Sequence, residues 1–299
     1  MAERYDLAAA RYERWWAPVL APTALEVLAE LDDPIARQPD ARILDIGTGT
    51  GVLAAAAIRR WPGVTVLAVD ASRGMLDVAT QLARTSLGAA ADRITFEQAS
   101  ADQLSVDEAS IDAVMSSFVF QLVPDRPAAL REAYRVLRPG GRLAIVTWLV
   151  DEREFAPDVA FEDALDELGD AIPDEPDDEP PRSGNFASPA AAAAQVRRAG
   201  FRSVAVTPAE LEYRYDPASY LEFLEQYGER DIFEAIGART RARLRAATKR
   251  RLARLSVDAF TWRMGVVRIR ATRPPDIGLR DLAGPRGAPM PAARSEAGG

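Results

Sequence analysis

The sequence predicts an α/β fold: a doubly wound, mostly parallel seven-stranded sheet with helices on both faces and a helical insertion between the last two strands. Three observations carry that expectation. Short apolar runs alternate with alanine-rich helical stretches between residues 42 and 149, the pattern of strands joined by helical crossovers. Proline and glycine punctuate it with short connections, Pro62-Gly63 and Arg138-Pro139-Gly140-Gly141. The stretch Ile43-Leu44-Asp45-Ile46-Gly47-Thr48-Gly49-Thr50-Gly51 reads as a buried strand running into a glycine turn, with a helix from Val52 to Arg60 behind it.

The elements follow in order. Residues 1–35 hold the aromatic residues Tyr5, Tyr12, Trp15 and Trp16, then Pro18 and Pro22, then the amphipathic run Ala24 to Leu31; two helices separated at the prolines fit this pattern. The domain proper is expected over residues 36–273. Its strands are Arg42–Ile46, Val64–Val69 ending at Asp70, Ile94–Gln98, Ile111–Ser116 and Arg142–Leu149, with helices at Ser72–Leu87 and Pro127–Leu137. Residues 151–182 are strongly acidic and end proline-rich, a solvated connector or a flap beside the site, composition favouring the connector. Ser188-Pro189 starts a helix that Gly200 ends. Ser203–Tyr215 and Phe260–Thr272 are the last two strands, and residues 217–255 form the helical insertion between them. Within it, Arg239 to Arg254 reads as a helix with a buried leucine stripe and a solvated basic face. Residues 274–299, rich in Pro, Gly, Ala and Arg, are expected to be a disordered tail.

Composition narrows the chemistry. The chain has 299 residues, 48% of them hydrophobic, enough for one large domain with insertions. It contains no cysteine, which removes disulfides, thiolate metal sites and a cysteine nucleophile. It contains no histidine, which removes the usual general base and the commonest metal ligand. No metal site is therefore expected, and proton transfer must use a carboxylate, tyrosine, lysine, water or the substrate. A net charge of −8 argues against general nucleic-acid binding. No apolar run approaches membrane-spanning length and the N-terminus lacks a signal-peptide pattern, so a cytoplasmic protein is expected.

The glycine turn is the candidate ligand site. A dinucleotide fingerprint wants glycine where Val52 stands. The spacing here is G-x-G-x-G, preceded by Asp45; that acid would repel a pyrophosphate and attract an amino or sulfonium group. A tight turn with no ligand would need one glycine rather than three. In open parallel sheets, ligands sit outside the carboxyl ends of the strands where the strand order reverses. That rule gathers the glycine turn, Asp70, Ser100-Ala101-Asp102 and Ser116-Ser117-Phe118 into one crevice.

These motifs resemble the class I S-adenosylmethionine (SAM)-dependent methyltransferases, a Rossmann-like family, over roughly residues 40–148, and Arg135 to Gly141 also matches the family's turn before strand five. The resemblance implies SAM as cofactor. Gly47, Thr48, Gly49 and Gly51 would hold its amino-acid part, with Asp45 reaching the amino group directly or through water. Asp70, with Ala71 beside it, would bind the ribose, and Met75 would pack on the adenine. Ser100, Ala101 and Asp102 would border the adenine edge, and Ser117 and Phe118 would contact the methionine portion. Tyr12, Trp16, Gln121 and Trp148 are candidates for the acceptor pocket. For Met75, Phe118 and Gln121, ordinary structural roles stand beside these.

Two departures from the family pattern stand out. Ser100 occupies a position where an acid is common, which points to Asp102 as the carboxylate there. Many small-molecule members have histidine after strand four, where this chain has Phe118-Val119-Phe120-Gln121. No catalytic residue is identified; Gln121 is a candidate to orient a substrate, and an amide is not a base near neutral pH. The expected activity is methyl transfer to a small molecule by direct displacement, in which positioning supplies much of the acceleration. A macromolecular acceptor and a SAM-binding protein without transfer are the alternatives. The oligomeric state stays open.

Overall fold

The computed structural model describes residues 2–169 and 182–275. Its centre is a seven-stranded sheet of order β3-β2-β1-β4-β5-β7-β6. The strands are β1 Arg42–Ile46, β2 Thr65–Asp70, β3 Ile94–Gln98, β4 Ile111–Ser117, β5 Leu137–Trp148, β6 Arg202–Arg214 and β7 Thr261–Thr272. Strands β1 to β5 pair in parallel, and β7 runs antiparallel between β5 and β6. The strand order reverses at β1 and β4, which are adjacent, so the crevice outside their carboxyl ends lies at the centre of the sheet.

The central strands are apolar on both faces because both are covered. Ile43, Val66, Ala113 and Met115 pack to one side, and Leu44, Ile46, Leu67, Val69 and Val114 to the other. The first face receives α1 Ala2–Trp15, α2 Ala17–Leu25, a 3₁₀ turn Glu26–Leu31, α3 Asp32–Arg37, α4 Val52–Arg60 and α5 Arg73–Leu87. Ala54 and Ala57 of α4 have no exposed surface, so their small side chains let the helix approach the sheet closely. The second face receives α6 Arg126–Val136 and, across the β6–β7 side, α8 Pro189–Arg198. Ser72, Asp125 and Ser188 cap α5, α6 and α8 by accepting from the amides of Met75, Ala128 and Ala191.

Three local differences from the expected elements have physical reasons. Pro22 lies inside α2; the break between the first two helices falls at Trp16, just before Ala17-Pro18. The Pro139-Gly140-Gly141 segment is a bulge within β5 rather than a turn before it. Leu137 already pairs with Ile111, and regular pairing resumes at Arg142 and Ala113. The freed backbone bonds to the end of β7, Gly140 N–H to Arg273 O at 2.8 Å and Arg273 N–H to Gly141 O at 3.0 Å. Within the acidic stretch, Ala156–Asp166 forms helix α7, because Pro157, Ala160, Phe161 and Ala164 make a buried face between the acids. The rest of that stretch over 170–181, and the tail from 276 onward, lie outside the described residues.

Between β6 and β7 come α9 Tyr220–Phe223, a π-helical turn Leu224–Gly228, α10 Arg230–Ala235 and α11 Ala238–Leu252. Leu244, Ala247 and Leu252 of α11 are buried, and its arginines face outward to acids: Arg251 to Glu167 at 2.6 Å and Arg245 to Glu225 at 2.6 Å.

Candidate active site

The turn between β1 and α4 is built backbone first. The amides of Gly47 and Thr48 donate to Val69 O at 2.8 and 2.9 Å, which ties the turn to the end of β2. All three glycines have positive φ, and each is required for a different reason. A Cβ on Gly47 would lie 2.2 Å from Val119 Cγ2, and one on Gly51 would press on Ala79 at 3.2 Å. A Cβ on Gly49 would meet nothing within 4 Å; it would project into open space beside the turn.

Asp70 closes the other side. Its Oδ2 accepts from Gly49 N–H and its Oδ1 from Ser72 N–H, both at 2.9 Å. One backbone bond per oxygen fixes the carboxylate plane and leaves a lone pair on each oxygen for a ligand. Burial raises its pKa despite those bonds. Asp45 is differently placed. It is 1% exposed and lies behind the turn, where Oδ2 accepts from Thr48 Oγ1 at 2.7 Å and Oδ1 has no partner. Burial pushes its carboxyl up to about 7, the Thr48 hydroxyl opposing the shift.

In front of the turn is a cavity of about 300 Å³. Gly47, Gly49, Asp70, Ala71 and Met75 line one end, with Ser100 and Ala101 beside them and Ser117 and Phe118 between the two ends. Trp16, Gln121 and Trp148 line the other end, and Tyr12 lies between them and the glycine turn, close enough to Asp70 for that charge to act on its phenol. Four residues expected at the site are not on its wall. Asp45 and Gly51 are behind the turn, and Thr48 borders a small neighbouring crevice. Asp102 accepts a short hydrogen bond from Ser100 Oγ and is likewise absent from the lining.

The far wall is aromatic. Phe118 lies 4.5 Å from Trp148 between ring centroids, Trp148 5.7 Å from Trp262, and Trp262 5.5 Å from Trp16. Phe118 sits at φ +56°, an uncommon conformation for an aromatic residue, and its backbone is held from two sides. Its N–H donates to Val146 O at 2.8 Å, and its carbonyl accepts from Gln121 Nε2 at 2.6 Å. Gln121 Oε1 in turn accepts from Thr147 Oγ1 at 2.6 Å. The Gln121 amide is thus a buried strut between β5 and the strained turn.

Other lining residues were invisible as site residues in the sequence: Tyr5, Leu20, Val119, Leu122, Val123 and Pro124. The loop carrying the last three is pinned by Arg126, which is 3% exposed and stacks 3.9 Å from the Phe186 ring. Its guanidinium donates to Phe120 O at 3.0 Å and to Ser183 O at 2.8 Å. Tyr5 arrives because Asp6, next to it on α1, accepts from Ser72 Oγ at 2.6 Å and Gly74 N–H at 2.7 Å. Gly74 has no side chain because a Cβ there would lie 2.6 Å from Asp6 O.

Among the lining residues only Asp70, Tyr5 and Tyr12 are ionisable, and burial holds the Tyr12 phenol neutral by raising its pKa far above the ordinary value. Among the described residues no cluster of acids is arranged to hold a metal, and no helix is long and apolar enough to cross a membrane.

Comparison with known proteins places this geometry. Residues 43–141 match the family model described as a methyltransferase domain. A ubiquinone/menaquinone biosynthesis C-methyltransferase, UbiE of Geotalea daltonii, is 35% identical over 109 residues, 36% of this chain and 46% of that protein. The malonyl-[acyl-carrier protein] O-methyltransferase of Geobacter sulfurreducens is 31% identical over 189 residues, 63% of this chain and 66% of that protein. The chain thus spans about half to two thirds of the length of these relatives. In fold it resembles a putative sarcosine dimethylglycine methyltransferase from Galdieria sulphuraria, with a TM-score of 0.52 at 18% identity, covering 85% of this chain and 86% of that one. Residues 43–141 of this chain thus match a methyltransferase domain, seated on a fold that solved methyltransferases share.

Proposed function

We propose that the protein transfers a methyl group from SAM to a small, largely apolar acceptor bound against the aromatic wall. The observation that carries this reading is the pairing of Gly49 and Asp70: an open, side-chain-free backbone position hydrogen-bonded to a carboxylate whose remaining lone pairs are unspent. The donor set suits the cofactor. Asp70 would accept both ribose hydroxyls, and Met75, Ser100 and Ala101 would enclose the adenine. Gly47 and Gly49 leave room for the amino-acid portion, and Ser117 and Phe118 would flank its methionine part. Asp45 acts one layer back: it holds Thr48 and so the turn.

SAM, when bound, supplies an electrophilic methyl on a sulfonium. The chain's residues supply alignment and exclusion of water. Trp16, Phe118 and Trp148 offer flat apolar faces that orient a planar or hydrophobic acceptor. Gln121 contributes through its strut, since its oxygen and one amide hydrogen are already engaged. Among the described residues that line the cavity no base faces the acceptor end: Asp70 lies at the glycine-turn end and Tyr12 is held neutral. The acceptor must therefore carry its own acidity, as a phenol, an enolisable carbon or a readily deprotonated amine does, or lose its proton to water.

The test is twofold. Calorimetry with S-adenosylhomocysteine (SAH) should show one site per chain. Incubation with SAM and a panel of phenols, enolisable carbonyl compounds and amines should release SAH. Binding without turnover on any acceptor would favour a SAM-binding protein that does not methylate.

A further inference from the structure

A second chamber of about 270 Å³ adjoins the main cavity, sharing Tyr5 and Leu122 with it and reaching its Trp16 side through Tyr227. Its remaining walls come from α1, from the π-helical turn and the start of α10, and from Arg182. Tyr227, on the π turn, lines it and packs on Trp16 of the main cavity at 6.0 Å between ring centroids. Single π-helical turns are rare and concentrate at functional sites.

Among the described residues the chamber is lined by three arginines, Arg11, Arg182 and Arg230, and one acid, Asp231, in a chain of net charge −8. Arg11 is half-buried, and among the described residues it has no carboxylate partner. Its guanidinium donates only to Leu7 O at 3.0 Å, one turn back on its own helix, which leaves further N–H groups available. Arg230 pairs with Asp231 at 3.0 Å and Glu234 at 3.4 Å, acids that are 74% and 61% exposed. Such surface pairs contribute little and exchange readily for a better-placed anion. Among the described residues the main cavity has no cation on its walls.

From this juxtaposition we propose that the acceptor is amphipathic: an apolar body against Trp16, Phe118 and Trp148, and an anionic group, carboxylate or phosphate, held in the second chamber by Arg11 and Arg230. This rests on the assignment of the aromatic end as the acceptor side. The division of labour is physical. The aromatic wall buries area and orients a flat body, and the guanidinium groups set how far the body slides in, since charge-assisted hydrogen bonds are the stronger and more directional contacts. The anionic group fixes which atom of the body faces the cofactor end.

The test uses the full chain and its Arg11→Gln/Arg230→Gln variant, each with and without SAH. Both are titrated with phenylbutyrate, with its uncharged amide, and with inorganic phosphate. The wild type should bind the acid about tenfold or more tighter than the amide. In the double variant the two should bind within about twofold of each other, with SAH affinity unchanged as the check on folding. Phosphate should displace the acid. Equal binding of acid and amide by the wild type, or a preference that survives in the variant, overturns the proposal. So does phosphate binding that leaves the acid in place, because the anion site is then separate from the acceptor site. The acid-to-amide ratio is read without SAH as well, so a failure of SAH to bind would sink the cofactor reading alone.

Discussion

The two ends of the cavity are built by different means. The end holding Gly47, Gly49 and Asp70 is made from the carboxyl ends of β1 and β2, and its hydrogen bonds run between neighbouring strands at 2.8 to 2.9 Å. The end holding Trp16 and Trp148 is assembled from an N-terminal segment, a distant strand and an insertion, and its contacts are ring against ring at 4.5 to 6.0 Å. The first is specified by the sheet and cannot move without it. The second can change its side chains while the sheet stays as it is, so cofactor chemistry and acceptor choice are physically separable in this fold.

The sharpest way to break that comparison is at the turn. Gly47→Ala places a Cβ inside the Val119 side chain at positive φ, and should cost roughly 2–5 kcal/mol of stability in denaturant unfolding. Gly49→Ala should cost only about 1–2 kcal/mol of stability, since its methyl meets no protein atom, yet abolish SAH binding, since Gly49 is on the cavity wall where the proposed cofactor comes closest to the backbone. Equal stability losses would mean that the turn is not divided as described. Next in size, Asp70→Ala should weaken SAH in calorimetry by about tenfold to a hundredfold, the loss of hydrogen bonds to a charged acceptor. Binding of an acceptor analogue to the aromatic end should hold.

Smaller effects sharpen the boundary between frame and site. Thr147→Val removes the donor to Gln121 Oε1 and leaves a buried acceptor unsatisfied, which should cost about 1–3 kcal/mol in unfolding experiments. A variant as stable as the wild type would remove Gln121 from the frame. Asp45 predicts a pH dependence of defined sign. Burial lifts its folded-state pKa to about 7, so the folded chain keeps a proton that the unfolded chain releases. Its contribution to stability is therefore full below about pH 4 and declines as pH rises toward about 7, by at most ~1.4 kcal/mol per unit. Asp45→Asn should flatten that part of the unfolding profile.

The sheet was legible because its strands are buried on both faces: β1 and β3 have the expected bounds, and no other arrangement explains apolar runs such as Thr65 to Asp70 alternating with helices. The glycine turn and Asp70 were legible because backbone constraint and charge leave a local signature. Residues whose role depends on distant partners were not. Asp45 and Asp70 look equivalent in the sequence, two acids at strand ends, yet one lies behind the turn and the other on the cavity wall. Asp102 turns to Ser100, a bond between next-but-one neighbours that spacing does not reveal. Helix α7 was hidden because its four apolar residues sit among acids. Arg11 and Arg230 are 219 positions apart and meet only through the packing of α1 beside the π turn.

The bonds from Ser72 and Gly74 to Asp6 tie α1 to the start of α5, the helix that begins three residues beyond Asp70. Asp70 and Asp6 thus hold Ser72 from two sides, Asp70 through its amide and Asp6 through its hydroxyl. Because the contacts with Ser72 and Gly74 lower the pKa of Asp6, the fastening holds at neutral pH and loosens only in acid, as pH falls through that lowered value.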